Sequence, residues 1–295
     1  MKTTFKKLAI GASMAVSVSA IASAPAHAGS LTGATIGGTA ANDYLVYDSN
    51  ATNTFLAPNT PANVQKVLDG NAAKPGGNVE LRASTEKASF NSTEFTKNTT
   101  LTGQIGGKSL TLSSLTSDDW NSSYQGTTFG QYWFNQALST NGFGNFVASP
   151  IATTLFNTFV TSGGFQRFSD PNISYVNQND ASGLISIGLA GHLNATNLLL
   201  PIVPNNLKPL LANRVIQASE IVKYTYNGKT DYLFSFNATA SGLTEKGDGI
   251  SHSGNYEVTI QGEPTKSVPE PSVMLGLLGV AGVFASQRKL KLKKA

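Results

Sequence analysis

Short runs of alternating or β-branched residues recur along this chain with turn residues between them: DYLVYD at 43–48, NVELRAS at 78–84, TTLTGQI and SLTLSSL on either side of Gly106-Gly107, and LISIGLA at 184–190. A period of two turns one side of each run toward a core, and the spacing calls for antiparallel strands in a sandwich or twisted sheet. The clearest hairpin is SEIVKYTYNGKTDYLFSFNATA. Val222, Tyr224 and Tyr226 share one face of its first strand, and Tyr232, Phe234 and Phe236 share one face of its second. Pairing even-numbered with even-numbered residues puts all six on one side. The loop would then hold three or five residues, and five is preferred, with Tyr226 opposite Tyr232 and Tyr224 opposite Phe234. A minimal two-residue Asn-Gly turn is not expected.

The centre of the chain changes period. In SPIATTLFNTFVTSGG, Ser149 is placed to cap a helix, Pro150 takes its first position, and Ile151, Leu155 and Phe159 follow at four-residue steps. FGQYWFNQALSTNG reads as a shorter helix stopped at Asn141-Gly142, and NNLKPLLAN at 205–213 as another, limited by Pro209. The expectation is an α+β fold, β-dominated, with an antiparallel sheet or sandwich and a few central helices.

Both ends differ from this body. Lys2, Lys6 and Lys7, the apolar stretch 8–21, and Ala26-His27-Ala28 before Gly29 have the order of a secretory signal peptide, a helical leader of residues 1–28 cut after Ala28. At the other end, Pro269-Glu270-Pro271 precedes an apolar run over 273–286 and then Arg288, Lys289, Lys291, Lys293 and Lys294. Fourteen helical residues at 1.5 Å each reach about 21 Å, against about 30 Å of hydrocarbon. That is short for a lasting anchor and long enough for a temporary hold, with the basic cluster kept cytoplasmic. Between the ends lies an exported β-rich region, 29–267.

Charge follows the same division. Eight of the 21 basic residues sit in the two end segments, and 16 of the 17 acidic ones lie in 29–267, so the body is net acidic although the whole chain is +4. A nucleic-acid reader needs a basic face to neutralise phosphates, and this body has no surplus for one. The absence of cysteine excludes disulfides, thiolate metal sites and thiol catalysis.

The motifs that suggest chemistry do not complete themselves. Gly107-Lys108-Ser109 ends like a phosphate loop, but Thr102 stands where that loop needs glycine and the following residues continue as a strand; a Gly-Gly hairpin turn is expected. His192 and His252 have no second histidine three or four residues away, so no zinc motif is present. Around His252, Asp248 and Ser253 would assemble a serine, histidine and aspartate set on paper, but a Gly-rich loop explains them more simply. Glu245 and Asp248 do not match the twelve-residue calcium loop. No metal or other cofactor is expected. Trp120, Tyr124 and Trp133 lie in a stretch rich in Asn, Gln and Ser and are the candidates for sugar contact, against the alternative that they pack between helices and sheet.

The tail carries a resemblance. Pro269-Glu270-Pro271, the short apolar run and the basic end, combined with a signal peptide, are similar to the PEP-CTERM sorting signal of Gram-negative bacteria. The stretches KNTTLTGQIGGKSLTLSSLTSDDW, SDPNISYVNQNDASGLISIGLAGHLNAT and QASEIVKYTYNGKTDYLFSFNATASGLTEKGDGISHSGNYEVTI resemble an uncharacterised family of cyanobacterial PEP-CTERM proteins, over most of 40–262. The resemblance implies recognition of the triplet by an exosortase-like membrane protease, transient inner-membrane anchoring through a short C-terminal transmembrane helix, and association with exopolysaccharide and biofilm. It implies no activity for any residue. The expectation is therefore a non-enzymatic protein of the cell surface or extracellular matrix, with signal peptidase and an exosortase-like protease as processing partners. The alternative is a secreted glycan hydrolase using carboxylates among Asp118, Asp119, Asp248 and Glu257.

Overall fold

Each run read as a strand is one. The computed structural model describes residues 28–265, apart from 88, 89, 202 and 212, and its fold is α+β with sheet dominant. The larger sheet has nine strands, in the spatial order Thr239–Ala240, Gly254–Gln261, Leu184–Gly191, Asn172–Asn179, Gly77–Leu81, Tyr44–Ser49, Asn53–Ala57 and Thr244–Glu245. The ninth, Ala28–Ser30, pairs with the far end of Asn172–Asn179. All its pairings are antiparallel except that of Thr244–Glu245 with Asn53–Ala57. The smaller sheet is antiparallel throughout and runs Lys229–Leu233, Val222–Tyr226, Lys108–Ser113, Thr100–Ile105, Thr32–Gly37.

Period-two alternation sends Leu110, Leu112, Val222 and Tyr224 from the smaller sheet, and Val46, Val79, Ile173 and Ile187 from the larger, into one core between them. The helix Pro61–Leu68 closes this sandwich with Val64, Val67 and Leu68; its first turn is set by Pro61 and by Thr60, whose side chain accepts from the Asn63 amide. A second core, mostly aromatic, lies on the other side of the smaller sheet. Trp120, Phe129, Trp133 and Phe159 from the helical segments build it. The helix Pro150–Thr161 begins as its sequence requires, with Ser149 accepting from the Ala152 amide. The helix Phe129–Leu138 runs on through a widened turn that ends where Gly142 takes φ 84°. Among the described residues of 205–213 a single helical turn forms, Lys208–Leu211.

The hairpin register is not the one expected. It closes with two residues, Asn227 and Gly228, at φ 50° and 76°, so that Tyr226 faces Lys229, Tyr224 faces Asp231 and Val222 faces Leu233. Tyr232 stands opposite Lys223, and its ring leaves by the face opposite to Tyr224. Even-to-even pairing suits a hairpin with one apolar face and one wet face. Both faces are covered: Val222, Tyr224 and Tyr226 enter the core between the sheets, while Tyr232 stacks on Phe129 with ring centroids 4.0 Å apart. Two left-handed residues in succession are what a tight hairpin turn needs, and Asn-Gly supplies them cheaply. Gly106 and Gly107 do the same at φ 57° and 75° between Ile105 and Lys108, as expected.

Both ends of the described body meet at one turn. Ala28 pairs with Asn179 and Gly29 with Gln178, while the Gly262 and Thr265 amides donate to the carbonyls of Gly183 and Asp180. Residues 1–27 of the leader, Ala26 among them, the Pro269-Glu270-Pro271 triplet and the basic cluster lie outside the described residues. Among the described residues no helix is long and apolar enough to cross a membrane.

Two glycines test how tightly this architecture is set. A Cβ on Gly188 would stand 2.2 Å from the Tyr175 ring on the neighbouring strand, and Gly188→Ala is expected to cost about 3 kcal/mol through overpacking. Gly228→Ala has open space around it and should cost only about 1 kcal/mol, from the left-handed backbone. Thermal denaturation of the two variants beside the parent checks the order.

Candidate functional site: an acidic cleft

The rings singled out for sugar contact are enclosed. Trp120 has no exposed surface; its Nε1 donates to Ser169 Oγ at 2.7 Å and its ring stacks on Phe165 at 4.3 Å. Trp133 is packed among Phe159, Phe168 and Phe236. Trp120 offers no face to a ligand, and Trp133 borders a cavity of about 120 Å³ whose walls are almost wholly apolar and do not match the hydroxyls of a sugar, so the sugar-contact expectation is corrected for both. Tyr124 is half-buried, and its hydroxyl donates to Asp231 Oδ1 at 3.1 Å. The reason is the third layer: a ring on the helical side of the smaller sheet is consumed by packing.

The four carboxylates named for hydrolysis are not gathered either. Asp119 Oδ2 accepts from the Thr116 amide and hydroxyl, closing a capping box, while its Oδ1 takes Lys223 Nζ at 2.7 Å and the Tyr232 hydroxyl at 3.1 Å. Asp118 stands exposed in the same first turn. Glu257 accepts the Tyr175 hydroxyl at 2.9 Å. Asp248 alone lines a cleft. Its Oδ1 accepts from the Ile250 and Ser251 amides, and Glu245 Oε2 accepts from the Gly247 and Asp248 amides, so both carboxylates fold their own loop. His252 Nδ1 lies 2.7 Å from Thr54 Oγ1, and Ser253 Oγ donates to the Ile250 carbonyl. No serine-to-histidine relay forms.

A different set of carboxylates does converge. Where one end of the larger sheet meets the helical layer, a cleft of about 220 Å³ opens. Six carboxylates line it: Glu80, Glu86, Asp170, Glu220, Glu245 and Asp248. Glu80 comes from the strand Gly77–Leu81, turned away from the core that Val79 and Leu81 enter. Asp170 and Asn172 lead into the next strand, where Asn172 pairs with Glu80. Glu220 precedes Val222 and accepts from both the Asn172 amide and Asn172 Nδ2, at 2.9 and 3.0 Å. Arg167 is the one arginine or lysine on the lining, and it sits 3.4 Å from Glu86.

Electrostatics follow from this crowding. Burial, with the Glu86 charge adding to it, pushes the Glu80 carboxyl up to about 7. Burial pushes Asp170 well above the usual carboxylate range, with Glu220 next in importance, and burial raises Glu220 well above its own. Across the cleft burial would raise Asp248 too, but hydrogen bonds from Ser251 and the loop amides hold it below its ordinary value. Burial lowers His252 to about 4 and lowers His192 as well, so both imidazoles are neutral at pH 7. Two acceptors are left over: Asp170 Oδ2 takes the Thr85 hydroxyl at 2.7 Å while Oδ1 has no partner, and Asn172 Oδ1 has none.

Among the described residues no group of three His, Asp or Glu side chains is arranged to hold a metal ion. The cleft can accept a hydrogen-bond donor or a counter-charge, and its raised carboxyls can hold protons near neutrality. Sequence reasoning passed over Glu80, Asp170 and Glu220 because they share no spacing. The one local signal is Glu80 standing between the core residues Val79 and Leu81 of its strand.

Glu80 gives a direct test. Unfolded, it ionises near 4.5; folded, near 7. Between those values the folded state holds a proton that the unfolded state has lost, so its contribution to stability falls as pH rises through that window. Glu80→Gln should therefore stabilise the protein by roughly 3 kcal/mol at pH 8 and by little at pH 4; chemical denaturation at the two values measures the difference. No protein-family model, no curated protein and no solved structure matches this chain.

Proposed function

We propose that the chain is an exported protein of the cell surface or extracellular matrix, processed at both ends, that associates with exopolysaccharide and acts by binding through its acidic cleft. The observation that carries the binding part is the concentration of six of the body's 16 carboxylates around one cavity, while the aromatic rings named for sugar contact are taken up by packing or hydrogen bonding. Export is supported by the two end segments, whose order of basic, apolar and small residues at one end and Pro-Glu-Pro, apolar and basic residues at the other fits a signal peptide and a sorting signal. Cutting after Ala28 would leave the Gly29 and Ser30 pairings with Gln178 and Asn177 in place.

A second reading, a hydrolase acting on matrix glycans, is favoured by one feature. Glu80 is protonated near neutrality in the same cleft as an ionised Asp248, and a pair of carboxyls with separated pKa values is what acid and base roles require.

Mass spectrometry of protein from the cell exterior tests the location. Molecules starting at Gly29 and ending near Pro269-Glu270-Pro271 are expected, and a C-terminus at Ala295 in every molecule would sink the processing. Glu270→Ala should accumulate in the membrane fraction. Incubation with the producing cell's own polysaccharide should cause co-sedimentation without new reducing ends. Reducing ends that appear with the parent and vanish with Glu80→Gln would establish the hydrolase.

A further inference from the structure

We propose that the acidic cleft takes a primary ammonium carried on a compact ring, held by Asp170, Glu220 and Asn172. This rests on the cleft being the working site and names the class of its ligand; an amino sugar is one such molecule that a polysaccharide matrix would present.

Four observations converge on that chemistry. The lining is acceptor-rich and acidic: six carboxyl groups, three of them raised by burial, against Arg167, itself paired with Glu86. Two acceptors are buried without partners. Asp170 is 2% exposed and Asn172 7% exposed, and Asp170 Oδ1 and Asn172 Oδ1 lack a hydrogen bond while both residues line the cavity. A buried acceptor that goes unpaired costs free energy, more so when it is charged, and an ammonium brings three donors with a compensating charge.

Room and wall character distinguish an organic cation from a bare ion. The cavity of about 220 Å³ is several times the roughly 30 Å³ that one water occupies in the liquid. Among the described residues no three metal-ligating side chains surround a common point, and a divalent ion collects six or more oxygens at short range. The walls are also half apolar: Tyr47, Phe168 and Leu198 stand beside the carboxylates. A ring can lie against them while its ammonium reaches Asp170.

Binding should be linked to protons. The charged and titratable groups facing Asp170 are Glu220, Glu86 and Glu80, with Arg167 on Glu86 and Tyr47 on Glu80, and Glu245, Asp248, His192 and His252 across the cleft. A cation that settles among them favours their ionised forms, so it expels protons and binds more tightly as pH rises.

The test is calorimetric titration of the purified full chain with cyclohexylammonium chloride, cyclohexanol and calcium chloride at pH 8 and pH 5. Saturable binding of the ammonium is expected at pH 8, weaker at pH 5. Heats that vary with the ionisation enthalpy of the buffer would report the expelled protons. Asp170→Asn and Glu220→Gln should each weaken the ammonium about tenfold or more, since each removes a partner of the buried charge. Should Asp170→Asn fail to fold, Glu220→Gln and the neutral isostere carry the test. Cyclohexanol binding as tightly as the ammonium, undiminished binding in the variants, or displacement of the ammonium by an equimolar concentration of calcium would each overturn the proposal. These outcomes are separate from export, which is read from the mass of the exterior protein.

Discussion

The hairpin of residues 222–233 has core on both of its faces, and most of the molecule is arranged around that fact. A two-residue turn at Asn227-Gly228 fixes which side chains leave by which face. Val222, Tyr224 and Tyr226 go toward the larger sheet, and Tyr232 goes toward Phe129 and the helical layer. A shift of one residue would exchange the two sets and leave Lys223 inside the sandwich. In its actual place Lys223 reaches Asp119 at the start of the helix Ser117–Asn121, which ties the aromatic layer to the sheet beneath it. The three-layer stack that results absorbs Trp120 and Trp133 in packing. It also creates the seam, where the larger sheet meets the helical layer, that the acidic cleft occupies.

Titrating groups in that seam act on stability in opposite directions. Glu80 loses its contribution as pH rises from about 4.5 to 7, because the folded state prefers its proton. His252 does the reverse. Its folded-state value near 4 lies below the unfolded 6.5, so the unfolded chain holds more protons between them and stability grows with pH across that interval. Over the shared range the histidine's slope opposes the glutamate's, and the raised Asp170 and Glu220 carboxyls add to the glutamate's side.

Elements with a strong local pattern were legible in the sequence. Ser149-Pro150, the strand runs, and the Gly106-Gly107 turn each carry their own instruction within a few residues, and the chain follows it. The hairpin register was not legible, because the choice between two and five loop residues depends on what covers the second face, and that cover comes from residues about 100 positions earlier. The same holds for the rings: nothing local tells a Trp that will be enclosed from one that will be exposed. The cleft was hidden for a related reason. Glu80, Asp170 and Glu220 are brought together by the pairing of Gly77–Leu81 with Asn172–Asn179 and by the entry into Val222–Tyr226, and no motif spans those distances.

The strand Asn172–Asn179 joins the acidic cleft to the meeting point of the ends of the described body. Its first residue borders the cleft, and its last lies at the turn where residues 28–30 and 262–265 come together. Eight residues of extended chain put these poles about 23 Å apart. The meeting point of residues 28–30 and 262–265 and the acidic cleft therefore lie at opposite ends of one strand. Substitutions at the two places share no partner and should add in their effects on stability.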